Sequence, residues 1–143
     1  MITWEECVER GIIQKIGSNP EIANKMFAMA SLRLEFLDRD MEEKYTSLKI
    51  EAYYDIIKEL IFANLYREGY NCSNHICLIA YSKIRFDFFK EEIRVINNLR
   101  KLRNDISYRG ENISNGFLIQ NEVKFKKIIK KLSETFINSN LIN

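Results

Sequence analysis

Hydrophobic residues recur at three- and four-residue intervals over long stretches of this chain, and residues that start or stop helices punctuate them. Thr3, followed by Glu5 and Glu6, predicts a short first helix ending near Gly17. Ser18-Asn19-Pro20-Glu21 then supplies a cap, a proline where no first-turn N–H is needed, and an acid suited to the positive helix end. The helix so begun carries Ile22, Met26, Met29, Ala30, Leu34 and Leu37 at helical spacing. After a break at Asp38-Arg39-Asp40, the longest periodic segment runs from about Glu42 to Glu68, and Gly69 stops it.

A short loop, Tyr70-Asn71-Cys72, leads to Ser73 as the expected cap of a helix from His75 to about Lys83. Phe86, Phe88 and Phe89 fill the next connection and are expected to pin it to the core. A further helix spans about Lys90 to Tyr108 and stops at Gly110, with Val95, Leu99, Leu102 and Ile106 facing one neighbour. Ser114 caps a last helix, about Asn115 to Phe136, with Val123, Ile128, Ile129, Leu132 and Phe136 inward. The pattern predicts an all-α fold: an up-and-down bundle of four main helices plus a short N-terminal one, in a single domain over residues 1–143.

Composition narrows the function classes. Hydrophobic residues make up 46% of the chain, enough for a core, which excludes a disordered polyelectrolyte. With 22 basic and 20 acidic residues the net charge is only +2, so any nucleic-acid binding must come from a local patch. The three cysteines, Cys7, Cys72 and Cys77, show no CxxC spacing; free thiols in a reducing cytoplasm are expected, with neither a disulfide framework nor a zinc site. The acidic N-terminus and the lack of an apolar run near the ~20 residues of a membrane helix point to a cytoplasmic protein off the membrane. No phosphate-binding glycine loop and no nucleophilic triad occur, and no metal or cofactor is expected.

Chemistry concentrates in Leu99-Arg100-Lys101-Leu102-Arg103-Asn104-Asp105-Ile106-Ser107-Tyr108-Arg109-Gly110. On a helical wheel Arg100, Arg103 and Ser107 share one flank of the apolar line, and Tyr108 falls on the other side in the terminal turn. Arginine suits phosphate because its planar fork donates two bonds and stays charged. A tyrosine, with a reference pKa near 10, can donate a hydrogen bond or stack on a base but is a poor base at neutral pH. The plain structural alternative is a helix C-terminal turn whose cations and amide satisfy free carbonyls.

The stretch resembles the signature of HEPN domains, small α-helical proteins of which many are metal-independent ribonucleases. Their motif is an arginine, usually followed by Asn or another polar residue, with a histidine after a gap of four to six residues. Arg103-Asn104 matches the first half, and Tyr108 stands where the histidine is expected. The turn from Gly69 to His75 also resembles sequences of this family. The resemblance implies a homodimer through the motif-bearing helices, with an RNA-cleaving cleft between them. Arg103 and Tyr108 would then be the catalytic pair, with Arg100, Asn104, Asp105 and Arg109 binding RNA. It also implies a toxin-like role beside a minimal nucleotidyltransferase antitoxin. The competing reading is a non-catalytic helical module that binds such a nucleotidyltransferase or another protein.

Other groups receive plainer expectations. His75, the only histidine, is read as part of the fold pattern or as a surface residue. Asp55 and Glu59, four apart on one helix face, are read as a solvated stripe near Lys58; the alternative is that they orient Arg103 across the bundle or hold a cation. Tyr53, Tyr54, Phe62 and Tyr66 are expected in the core or an interface. Lys124, Lys126, Lys127, Lys130 and Lys131 are expected to form a solvated basic face.

Overall fold

In a computed structural model, which describes residues 2–86, 88 and 90–142, most of the chain is helical. Thr3 accepts a hydrogen bond from the Glu6 amide and starts α1 (Trp4–Glu9). This helix stops at Gly11, not near Gly17, because the backbone there turns to a φ of 71°. The residues freed by the early stop form β1 (Ile13–Lys15), which pairs antiparallel with β2 (Tyr70–Cys72) so that Ile13 faces Cys72. The segment expected as a loop is therefore half of a small two-stranded sheet beside the bundle.

Asn19 accepts from the Ile22 amide and Pro20 opens α2 (Pro20–Leu37), as the local sequence predicts. A single 3-10 turn, Glu43–Tyr45, precedes α3 (Thr46–Glu68). Twelve of the 23 residues of α3 are buried, too many for one face, so this helix must be enclosed rather than lie on the surface. It is surrounded by α2, by α5 (Lys90–Arg109) and by α6 (Asn115–Ile142). Gly69 ends α3 in the left-handed region, and a Cβ there would lie 3.0 Å from the Ser18 amide nitrogen. Its carbonyl accepts from the Ile16 and Gly17 amides, which ties the end of α3 to the end of β1.

Asn74, and not Ser73, caps α4 (His75–Arg85), accepting from the Cys77 amide at 2.9 Å. Ser114 caps α6 through the Phe117 amide as expected, but the helix continues past Phe136. Phe86 and Phe88 are buried in the connection before α5, and Phe89 lies outside the described residues. Val123, expected inward, is 76% exposed on α6, and of the helically spaced apolar residues of α2 both Ile22 and Met29 are exposed.

The cysteines depart most from expectation. Cys7 and Cys77 form a disulfide that fastens α1 to the first turns of α4, and only Cys72 is a free, buried thiol. A spacing of 70 residues leaves no local signal of such pairing. Denatured, unreduced protein should thus titrate as one thiol per chain and reduced protein as three. Reduction should lower the unfolding free energy by at most about 4 kcal/mol, the chain-entropy value for a loop of this length. Thiol titration and urea unfolding with and without reductant check both expectations.

Candidate functional site

The N-terminus of α4, the middle of α3 and the second half of α5 meet at one place, and each contributes charged or hydrogen-bonding side chains. From α5 come Arg100 and Arg103, one turn apart beside the buried Leu99. From α3 come the adjacent Tyr54 and Asp55, with Lys58 one turn further on. From α4 comes His75, the first residue after the Asn74 cap. Asn74 holds the helix start, which leaves the imidazole at the edge of the bundle, exposed to solvent.

Tyr54 Oη lies 3.2 Å from His75 Nδ1, so the buried phenol anchors the ring of the exposed imidazole. Burial pushes the Tyr54 phenol up to about 12, with Arg100 and Arg103 pulling it down and Asp55 pushing it up. Its proton therefore stays on at neutral pH. His75 shifts the other way, below the usual 6.5: partial burial disfavours the charged ring, and Lys58, Arg100 and Arg103 add repulsion. The same two arginines thus act on both rings, as convergence of the three helices requires.

Among the described residues Asp55 is the carboxylate that reaches this cluster, and it is shared. Its Oδ1 lies 3.7 Å from Arg103 Nε and 3.8 Å from Lys58 Nζ. Both Asp55 Oδ1 and Arg103 Nε are cut off from solvent, yet neither is within hydrogen-bonding reach of a partner. Arg100 Nε is steadied by Asn97 Oδ1 at 3.1 Å. Three cations around one carboxylate leave an excess of positive charge beside a neutral imidazole. Chemically, this suits an anion that also exchanges a proton.

The expected solvated stripe is not what forms. Asp55 faces Arg103, and Glu59 is bound at 2.6 Å by Arg33 of α2, so the two acids serve different neighbours. Of the motif residues, the structure brings Arg100 and Arg103 together and leaves the others in the terminal turns. Asp105 and Arg109 face each other at 3.9 Å in an exposed pair, and the Asp105 carbonyl accepts from the Glu111 amide. Asn104 is half-buried. Tyr108 is 78% exposed and has no hydrogen bond to the described residues. On α6, Lys124 and Lys131 face Glu91 and Glu92 of α5, Lys126 faces Asp38 and Lys130 faces Glu134, so little of that basic face is uncompensated.

His75, Tyr54 and Lys58 are the site residues that sequence patterns pass over. The available signal was the presence of a single histidine, but its proximity to the arginines is a tertiary relation. Among the described residues no three His, Cys, Asp or Glu side chains gather as metal ligands. No helix among them is long and apolar enough to cross a membrane. Protein-family models, curated proteins and solved structures give no match to this chain, so geometry carries the functional argument.

An NMR titration of the single imidazole should return a pKa below 6.5, and Lys58→Met should raise it by removing a nearby cation. Because the folded value lies below the unfolded one, the ring's contribution to stability is complete above pH 6.5. It is lost as the pH falls through the folded value.

Proposed function

We propose that the cleft at α3, α4 and α5 binds single-stranded RNA and cleaves it without a metal, the reading implied by the HEPN-like motif around Arg103. The observation that supports it is the approach of Arg100, Arg103 and Lys58 to His75, with Tyr54 bonded to the ring. In this reading the arginines hold the phosphate, and their charge offsets the negative charge that grows on the phosphorane. His75 takes the role that the sequence motif alone would give to Tyr108.

The chemistry balances simply. Neutral His75 accepts the proton of the ribose 2′-hydroxyl, whose oxygen bonds to phosphorus as the bond to the 5′-oxygen breaks; solvent protonates the leaving oxygen. The products are a 2′,3′-cyclic phosphate and a free 5′-hydroxyl. If Nδ1 donates its proton to Tyr54 Oη, Nε2 is the base, and a depressed pKa keeps it unprotonated at neutral pH. Tyr108, exposed on the last turn, is positioned to contact RNA or a second copy of the chain across a motif-to-motif dimer.

A non-catalytic interaction module is the second reading, and it has its own observation. Leu32 and Phe36 of α2 and Leu48 of α3 are each more than half exposed and lie together with Met29 and Tyr45 on one apolar face. A face of this kind suits a protein partner, a nucleotidyltransferase among the candidates, or a second copy of the chain.

One assay separates the readings. Binding and cleavage of a labelled single-stranded RNA in chelator should be measured for native protein, Arg103→Ala, His75→Gln and Tyr108→His. The RNA reading expects native binding with a steep salt dependence, and Arg103→Ala should weaken it and flatten the slope by roughly one ion. His75→Gln should bind but not cleave, and cleavage by native protein should persist at pH 6.5 and fall as the pH drops through the depressed imidazole value. Absent RNA binding, or binding indifferent to salt and to Arg103, favours the interaction module. Cleavage that survives His75→Gln and rises in Tyr108→His returns the catalytic role to position 108.

A further inference from the structure

We propose that a groove between α4, α5 and the segment that follows α1 receives an acidic amphipathic helix of a partner protein. The groove has a volume of about 820 Å³ and runs along the seam of α4 and α5. Ile12, Ile76, Ile79 and Ile93 make its apolar surface. Arg10, Lys83, Lys90, Arg94 and Arg100 stand around it, and no acidic side chain among the described residues lines it. Arg94 has an ion pair with Glu91 at 3.1 Å, but both side chains are mostly exposed, so the pair is weak and open to exchange; Lys83 has an interaction of its own, which leaves Arg10, Lys90, Arg94 and Arg100 as the cations for a ligand.

Charge placement selects the occupant. Because α4 and α5 follow each other through a short connection, Lys83 and Lys90 mark one end of the seam. Asn74, Asn97 and Arg100 mark the other. From Asn74 to Lys83 the distance is about 14 Å at roughly 1.5 Å per helical residue. A ligand with one anionic head would leave the cations at one end unmatched. An RNA strand would match the charges but find no aromatic side chain on which to stack a base. A helix with aliphatic residues on one face and acids on both flanks matches floor and rim together.

The disulfide adds preorganisation. Cys77 lies in the groove wall, and its bond to Cys7 holds the segment bearing Arg10 and Ile12 against α4. The groove is thus formed before anything binds, which lowers the ordering cost of association. This inference is independent of the RNA reading and shares only Arg100 with it.

The test uses the full oxidised chain and a fluorescent peptide of about 14 residues with leucines at helical spacing and glutamates on both flanks, with a lysine-flanked twin as control. Anisotropy should show micromolar binding of the acidic peptide and at least about tenfold weaker binding of the twin. Lys90→Glu with Arg94→Glu, and separately Ile76→Asp, should each weaken the acidic peptide by about tenfold or more while far-UV circular dichroism stays native. Phe36→Glu, on the other apolar face, should change nothing. Failure of the acidic peptide to bind, binding that survives both groove variants, or binding lost in Phe36→Glu would each overturn the proposal. RNA is absent from these measurements, so none of these outcomes bears on the ribonuclease reading.

Discussion

Everything in this fold follows from the enclosure of α3. Its apolar residues are spread around the helix, so no single neighbour can cover them, and α2, α5 and α6 must all pack against it. Enclosure then imposes a second demand: each polar group that α3 carries inward needs a partner from whichever helix covers it. Tyr53 donates to Glu122 of α6 at 2.6 Å, and Glu59 takes Arg33 of α2 at 2.6 Å. Arg67, buried at the far end, donates to the Phe136 carbonyl, stacks on the Phe136 ring and reaches Asn24. These bonds select which face of each neighbour meets α3, a task that apolar packing alone performs loosely.

The cluster around His75 is the same demand met imperfectly. Asp55 and Arg103 are drawn together across the α3–α5 contact but stop at 3.7 Å, a charge attraction without a hydrogen bond. Here the carboxylate is divided between Arg103 and Lys58, and the cations outnumber it. Glu59 Oε1 and Arg67 Nε are also buried without a hydrogen bond, so what sets this cluster apart is the surplus of cations beside His75.

The legible parts of the sequence were those with local causes. Pro20, Gly69, Gly110 and Ser114 act through their own backbone or cap geometry, and the helices begin or end beside them. Three-residue strands have no readable period, so β1 and β2 passed for a helix end and a loop; only their pairing defines them. Val123 keeps the helical spacing of its neighbours, yet it falls beyond the edge of what α3 and α5 can cover. At the site, Arg103 stood out because several polar groups crowd one short stretch, whereas His75 looks ordinary until α4 is docked against α3 and α5. The disulfide was hidden for the same reason, since Cys7 and Cys77 become neighbours only through the sheet and the packing of α1 on α4.

The pairing of β1 with β2 also has a consequence for the order in which this chain can be assembled as it is made. Residues before Gly17 have their main partners in Tyr70–Cys72 and Cys77, which are synthesised much later. At about 5–20 residues per second, the wait between Gly17 and Cys77 is roughly 3 to 12 s. During that interval Trp4, Cys7 and Ile13 stay uncovered, while α2 and α3 can already begin to pair behind them. The segment before Gly17 is therefore among the last to find its place, although it is made before the helices that it finally packs beside.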